Sequence, residues 1–255
     1  MTGQWKIVFA GIFGGAALAL LLVMGAAALG LFPQKSVLDS KQLHEYLLNH
    51  PELIVEMQVK LQQNADDATE HAQQSALRKI GAKAFFDPRI AFLAGPADAK
   101  RTFVEFYDYD CPYCRASLPA VKKFYEAHRN DTRFSFIEFP IPQQHGPGAV
   151  LAAKASLAAR NQPKSFIAFH FALMGEEGAV TEQMIFDDAV KCGLDVAKLK
   201  ADMADPALDL AIADAHKLAL RAKIDGTPTF LINGHLRPGA VDDNDLKDML
   251  KAKPV

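Results

Sequence analysis

Residues 101–114 constrain the fold of this chain more than any other stretch. Arg101-Thr-Phe-Val-Glu-Phe-Tyr107 is rich in aromatic and β-branched side chains, which suit a pleated, buried strand. Asp108-Tyr-Asp-Cys-Pro-Tyr-Cys114 follows at once, and then Leu118, Val121, Phe124 and Tyr125 recur at helical spacing. A strand that passes through such a segment into a helix puts Cys111 where backbone N–H groups lack intrahelical partners and the helix dipole favours negative charge. That environment lowers a thiol's pKa, so Cys111 is expected to be a solvent-facing, attacking sulfur. Pro112 fits the first helical turn, where a missing N–H removes no bond. Cys114 falls one turn on and deeper, within reach of Cys111.

The remaining elements follow from periodicity and breakers. Phe134–Phe139 reads as a second strand, and its helix-linked spacing from the first predicts a parallel βαβ pair. Helical patterns cover Ala149–Arg160, Lys164–Met174, Thr181–Lys191, Val196–Met203 and Ala207–Lys223, separated by Gly and Pro. Strand character returns over Thr229–Ile232, Asn233-Gly234 is a hairpin turn, and a last helix runs Asp243–Lys251. The order is strand, helix, strand, helical block, hairpin, helix: an α/β fold of thioredoxin-like order with a helical insertion at about 146–223.

Ahead of this lie two further segments. Residues 7–34 carry no charged side chain, long enough for a helix to cross a roughly 30 Å hydrocarbon core. Ala26-Ala27-Ala28 equally supplies small residues for a signal cleavage site. Either way the expectation is export: an anchor in the inner membrane through residues 7–32, or secretion after cleavage. Next, Asp39 or Ser40 can cap a helix carrying Leu43, Tyr46 and Leu47. Pro51 breaks it, and a second helix carries Leu53, Ile54, Met57 and Leu61, followed by a polar tract to about Lys79. These faces need a partner, and homo-oligomerisation through residues 36–80 is the expectation over an intramolecular brace. The organisation is therefore 1–35 signal or anchor, 36–85 helical oligomerisation or stalk segment, and 86–255 main domain.

Charge and cysteine count remove other classes. A formal net charge of −2 projects no strong field towards nucleic acid. Three cysteines make no disulfide scaffold, and two close pairs of zinc ligands are missing. No nucleotide, flavin or metal motif occurs, so no cofactor is expected. Cys192 reads as a small buried hydrophobe, His145 as an ordinary surface histidine, and Phe166, Phe169, Phe171 and Leu173 as core. Met174, Met184 and Met203 do not cluster as a copper site would.

Phe103-Val-Glu-Phe-Tyr-Asp-Tyr-Asp-Cys-Pro-Tyr-Cys114, Phe139-Pro-Ile141 and Gly226-Thr-Pro-Thr-Phe-Leu-Ile-Asn-Gly234 together resemble the DsbA-like branch of the thioredoxin superfamily over about residues 85–255. The resemblance implies thiol–disulfide exchange through a redox-active Cys111–Cys114 pair. It implies a cis Thr227–Pro228 bond against that pair, leaving the Thr227 backbone to receive a substrate peptide as an added strand, with Pro112 and Tyr113 beside it. It also places an acidic residue beneath the site, which Glu105 matches, as a relay for the Cys114 proton. Tyr113, where the strongest oxidants of the family carry His, gives the thiolate no charge support, and Asp108 and Asp110 are expected to raise its pKa. Leu43-His-Glu-Tyr-Leu-Leu-Asn-His-Pro-Glu-Leu-Ile54 resembles the amino-terminal segment of ScsC-like and Com-type relatives, which implies oligomers with isomerase or reductase work. The partners implied are exported proteins with cysteines and a membrane redox protein that resets the dithiol. The alternative is an exported copper-handling or chaperone module binding through two soft thiolates.

Overall fold

The computed structural model describes residues 39–251. The expected apolar span at 7–34 lies outside the described residues. Among those described, no helix is long and apolar enough to cross a membrane.

Contacts divide the chain into two units, one ending at Gln63 and one from Asn64 onward. The first holds α1 (Ser40–Asn49) and the start of α2 (Glu52–Ile80), with Asp39 as N-cap and its N–H donating to Gln42 Oε1 at 3.3 Å. None of the α1 side chains is buried. Leu43, Tyr46, Leu47, Ile54, Met57 and Leu61 of the expected faces are exposed, and so are Leu48 and Val55 beside them.

The second unit is built on a five-stranded sheet. Its strands are β1 (Ala91–Ala94), β2 (Arg101–Tyr107), β3 (Thr132–Glu138), β4 (Thr229–Ile232) and β5 (His235–Pro238), in the order β1-β3-β2-β4-β5. The expected parallel pair is present: β2 and β3 run in register from Arg101↔Thr132 to Tyr107↔Glu138, joined by α3 (Pro112–His128). β4 pairs antiparallel with β2, and β4–β5 is the expected hairpin turning at Asn233-Gly234. Strand β1 was not legible, because a four-residue apolar run carries no periodicity to separate strand from helix. It ends at Gly95, which has φ +76, and a Cβ there would meet the Thr132 carbonyl at 2.0 Å. The 3₁₀ turn Ala82–Phe86 carries no periodic signal either.

Between β3 and β4 lie α4 (Pro142–His145), α5 (Gly148–Ala159), α6 (Pro163–Met174), α7 (Glu182–Lys191), α8 (Val196–Met203) and α9 (Ala207–Arg221). Apart from the single turn α4, these match the predicted helical block to within two residues. α10 (Asp243–Lys251) closes the described chain.

Strand side chains alternate between faces, and β2 shows what that sorts. Phe103 and Tyr107 enter the larger core with α3 and the insertion, where Phe166, Phe169 and Leu173 are buried as expected. Val104 and Phe106 enter a second core with Phe85, Phe86 and Ala215. Glu105 has the parity of Phe103 and Tyr107, so it lies on the face that also receives Cys111 and Cys114.

Candidate functional site

The site forms where the parallel strands end and α3 begins. Cys111 is the N-cap of α3 and Pro112 its first residue. The Cys111 N–H donates to the Asp108 carbonyl at 3.1 Å, closing the turn that links strand to helix. Cys111, Cys114 and Cys192 are free thiols. From the far end of the sequence, the Thr227–Pro228 bond is cis, and the Thr227 carbonyl accepts from Cys111 Sγ at 3.2 Å. The topology causes this approach, because β4 pairs with β2 and so starts beside the end from which the cysteine turn leaves. Cys111, Cys114, Thr227 and Pro228, distant in sequence, are thereby brought together.

The two sulfurs differ sharply. Hydrogen bonding from the Cys114 thiol draws Cys111 down to about 5 against its own burial, helped by the backbone of Tyr113 and Cys114 at the helix start. Burial pushes Cys114 well above the ordinary thiol range. Tyr113 projects outward, 64% exposed.

Four expectations need correction. Cys111 is not solvent-facing: it is 1% exposed, because the Thr227 carbonyl closes over its sulfur. Asp108 and Asp110 are not what governs the Cys111 thiol, since both carboxylates are engaged elsewhere. Asp108 Oδ2 accepts from the Ile141 N–H at 2.8 Å and from His145 Nδ1 at 2.7 Å, and Asp110 Oδ1 accepts from the Val180 N–H at 2.7 Å and from Arg115 at 3.2 Å. His145 is thus no ordinary surface histidine. Cys192, read as buried, is only partly so and packs against the larger core beside the end of α7.

Glu105 is 3% exposed, its Oε2 has no hydrogen-bond partner, and burial lifts its carboxyl to about 8. Its charge also acts on Cys114, raising that thiol. Such a carboxyl binds its proton more tightly in the folded chain than in the unfolded one, where 4.5 is ordinary. Its contribution to stability is therefore fully present below about pH 4.5 and is lost as pH rises through about 8. Glu105→Gln is expected to remove this fall, so that wild type loses stability relative to the variant between pH 5 and pH 9. Urea melts at both values check this, and a difference that does not change with pH contradicts it.

Behind the site runs a buried polar group that the sequence did not reveal. Tyr107 donates to Glu138 Oε1 and lies 3.2 Å from Ser156 Oγ, while Tyr109 OH lies 2.9 Å from His170 Nδ1. Burial holds His170 down to about 3, so its ring stays neutral. Among the described residues, no group of three or more His, Cys, Asp and Glu side chains could hold a metal ion.

A strand-to-helix dithiol against a cis-proline loop, on a sheet of this order, defines a thioredoxin-type centre. A family model described as "Thioredoxin" matches residues 90–252, and the chain belongs to that family. A second, "Copper resistance protein ScsC N-terminal domain", matches residues 41–68, so the chain is a DsbA-like, ScsC-type member. It is similar to a thioredoxin-like oxidoreductase from Silicibacter pomeroyi, 37% identical over 67% of this chain and 96% of that one, TM-score 0.60. A linker-deleted ScsC of Proteus mirabilis is 26% identical over 86% of this chain and 97% of that one, TM-score 0.64. BcfH of Salmonella enterica Typhimurium is 25% identical over 92% and 98%, TM-score 0.70. Among curated proteins, a Na(+)/H(+) antiporter NhaA 1 of Salinispora arenicola is 31% identical over 60% of this chain. The chain spans 23% of that relative's length, and antiport belongs to that protein.

Proposed function

We propose that this chain carries out thiol–disulfide exchange on exported proteins through Cys111 and Cys114. The single observation that carries the reading is the dithiol's placement, Cys111 capping the start of α3 with Cys114 in its first turn and the Thr227 carbonyl 3.2 Å from the Cys111 sulfur.

In the oxidising direction, a substrate thiolate attacks Cys111 Sγ of the Cys111–Cys114 disulfide. That bond breaks, the mixed disulfide forms on Cys111, and Cys114 leaves as a thiolate. Glu105, its carboxyl lifted to about 8 by burial, would hand it a proton. A second substrate thiolate then attacks the substrate sulfur of the mixed disulfide and displaces Cys111. The low Cys111 pKa makes it a good leaving group, and two electrons have passed from substrate to protein. Reduction runs these steps in reverse; in isomerisation the Cys111 thiolate attacks a substrate disulfide and is displaced again by another substrate thiolate, with no net transfer of electrons. Access requires the Thr227 carbonyl to give up the Cys111 thiol, and a substrate peptide laid beside Thr227 as an added strand would replace that contact. Pro112 and the outward Tyr113 would flank it.

The uncharged run at 7–34 and likeness to a periplasmic thioredoxin-like protein from Salmonella enterica serovar Typhimurium support work outside the cytoplasm. There a membrane redox protein would reset the pair. The exposed apolar groups of residues 40–61 support assembly of copies through the amino-terminal helices, which would favour isomerase work.

Cys114→Ala is the test. It removes the resolving sulfur and leaves Cys111, so mixed disulfides with exported proteins are expected to accumulate on Cys111 and to vanish on reduction. A folded Cys114→Ala protein that captures none defeats the reading. A second reading, Cu(I) held by the reduced pair, is favoured by the copper-resistance description matched at 41–68. It requires tight Cu(I) binding that Cys111→Ser abolishes.

A further inference from the structure

The exchange reading uses the sulfurs, Thr227, Pro228 and Glu105. It leaves unused the histidine bonded to Asp108. Parallel β2 and β3 end on the same side of the sheet, so their exit loops, residues 108–111 and 139–147, lie next to each other. The Phe139 N–H donates to the Tyr107 carbonyl at 2.8 Å and ties the two exits together.

Asp108 is the joint between them. Its main chain closes the cysteine turn, the carbonyl accepting the Cys111 N–H at 3.1 Å. Its carboxylate, fully buried, takes the Asp110 N–H at 2.9 Å on Oδ1, and the Ile141 N–H and His145 Nδ1 on Oδ2. An acceptor carboxylate requires the proton to be on His145 Nδ1, whatever the state of the other ring nitrogen. His145 is the last residue of the single turn α4, whose C-cap is Gly146 with φ +93. The other titratable group facing this loop is His216 of α9, whose ring centroid lies 4.5 Å from that of Phe139. Asp110 faces the opposite way, towards Val180 and Arg115.

We propose that His145 is a positioning residue for the dithiol, its Nδ1–H fixing the Asp108 carboxylate in the β3 exit loop and thereby holding the turn that carries Cys111. The proposal rests on the exchange reading. Without this bond the carboxylate keeps the Asp110 and Ile141 N–H groups but loses its one side-chain donor, so its negative charge is less compensated beside the turn that carries Cys111, and such a charge raises a thiol's pKa.

The test follows thiolate absorbance near 240 nm against pH in the full chain, with disulfide exchange measured on the same samples. His145→Ala is expected to raise the Cys111 midpoint by about one unit, the size of shift a nearby like charge brings. His145→Asn, whose side-chain N–H falls near the Nδ1 position, is expected to restore it. His145→Gln, whose N–H falls near Nε2, is expected not to. In an Asp108→Asn background, His145→Ala should add nothing, because the charge it releases is gone. A merely structural role would lower stability for all three variants without separating Asn from Gln. An unchanged midpoint in His145→Ala, or equal midpoints in Asn and Gln, overturns the proposal. If the Ala variant does not fold, the Asn–Gln comparison decides alone. Absence of any Cys111 titration or exchange in wild type defeats the exchange reading itself, a result distinct from the others.

Discussion

Cys111→Ser is expected to cut thiol–disulfide exchange by at least about a thousandfold, because a serine hydroxyl does not ionise near neutral pH and forms no disulfide. The same variant should lose the 240 nm absorbance step centred near pH 5. A thiol near 9 when unfolded and near 5 when folded gives the reduced protein stability that is fully present above about pH 9 and is lost as pH falls through about 5. The reduced wild type should therefore gain stability over reduced Cys111→Ser as pH rises between those values. This gain belongs to the dithiol form alone, so it also pulls the pair towards acting as an oxidant. Insulin reduction, the absorbance titration and urea melts at pH 5 and 8 measure the three consequences. A Cys111→Ser protein that retains exchange would transfer the chemistry to another group and end the assignment.

Phe103→Ala is expected to cost about 3–5 kcal/mol of stability, the range for losing a fully buried aromatic side chain. Phe103 is fully buried at the middle of β2, with its ring centroid 5.3 Å from those of Phe124 and Phe134 and 5.8 Å from that of Phe230. It therefore joins α3, β3 and β4, the three elements that set the distance from the cysteine turn to the Thr227–Pro228 loop. A cavity there is walled by backbone on both neighbouring strands, so it cannot collapse without moving the sheet. Thermal unfolding should fall by on the order of 10 °C. A loss below 1 kcal/mol by urea unfolding would mean the site can repack and is not the junction it looks to be. Ring packing counts here as much as area, since four aromatic neighbours lose their partner at once.

The sequence alone determined the local elements and the chemical type of the site. The run Arg101–Tyr107 followed by Cys-Pro-Tyr-Cys specifies a strand, a turn and a helix start through short-range sterics and helix polarity. Apolar periodicity and Gly or Pro breaks delimit α5 to α9 for the same reason. Only the tertiary structure decided how deep the sulfur lies, which acids are charged near it, and which histidine matters. Strand pairing across some 125 residues closes Thr227 over Cys111, and the shared edge of β2 and β3 joins Asp108 to His145. Burial and hydrogen bonding depend on which distant segments meet, and no window of sequence contains both partners. That is why Glu105, matched by resemblance, needed the fold before its raised carboxyl had a physical cause.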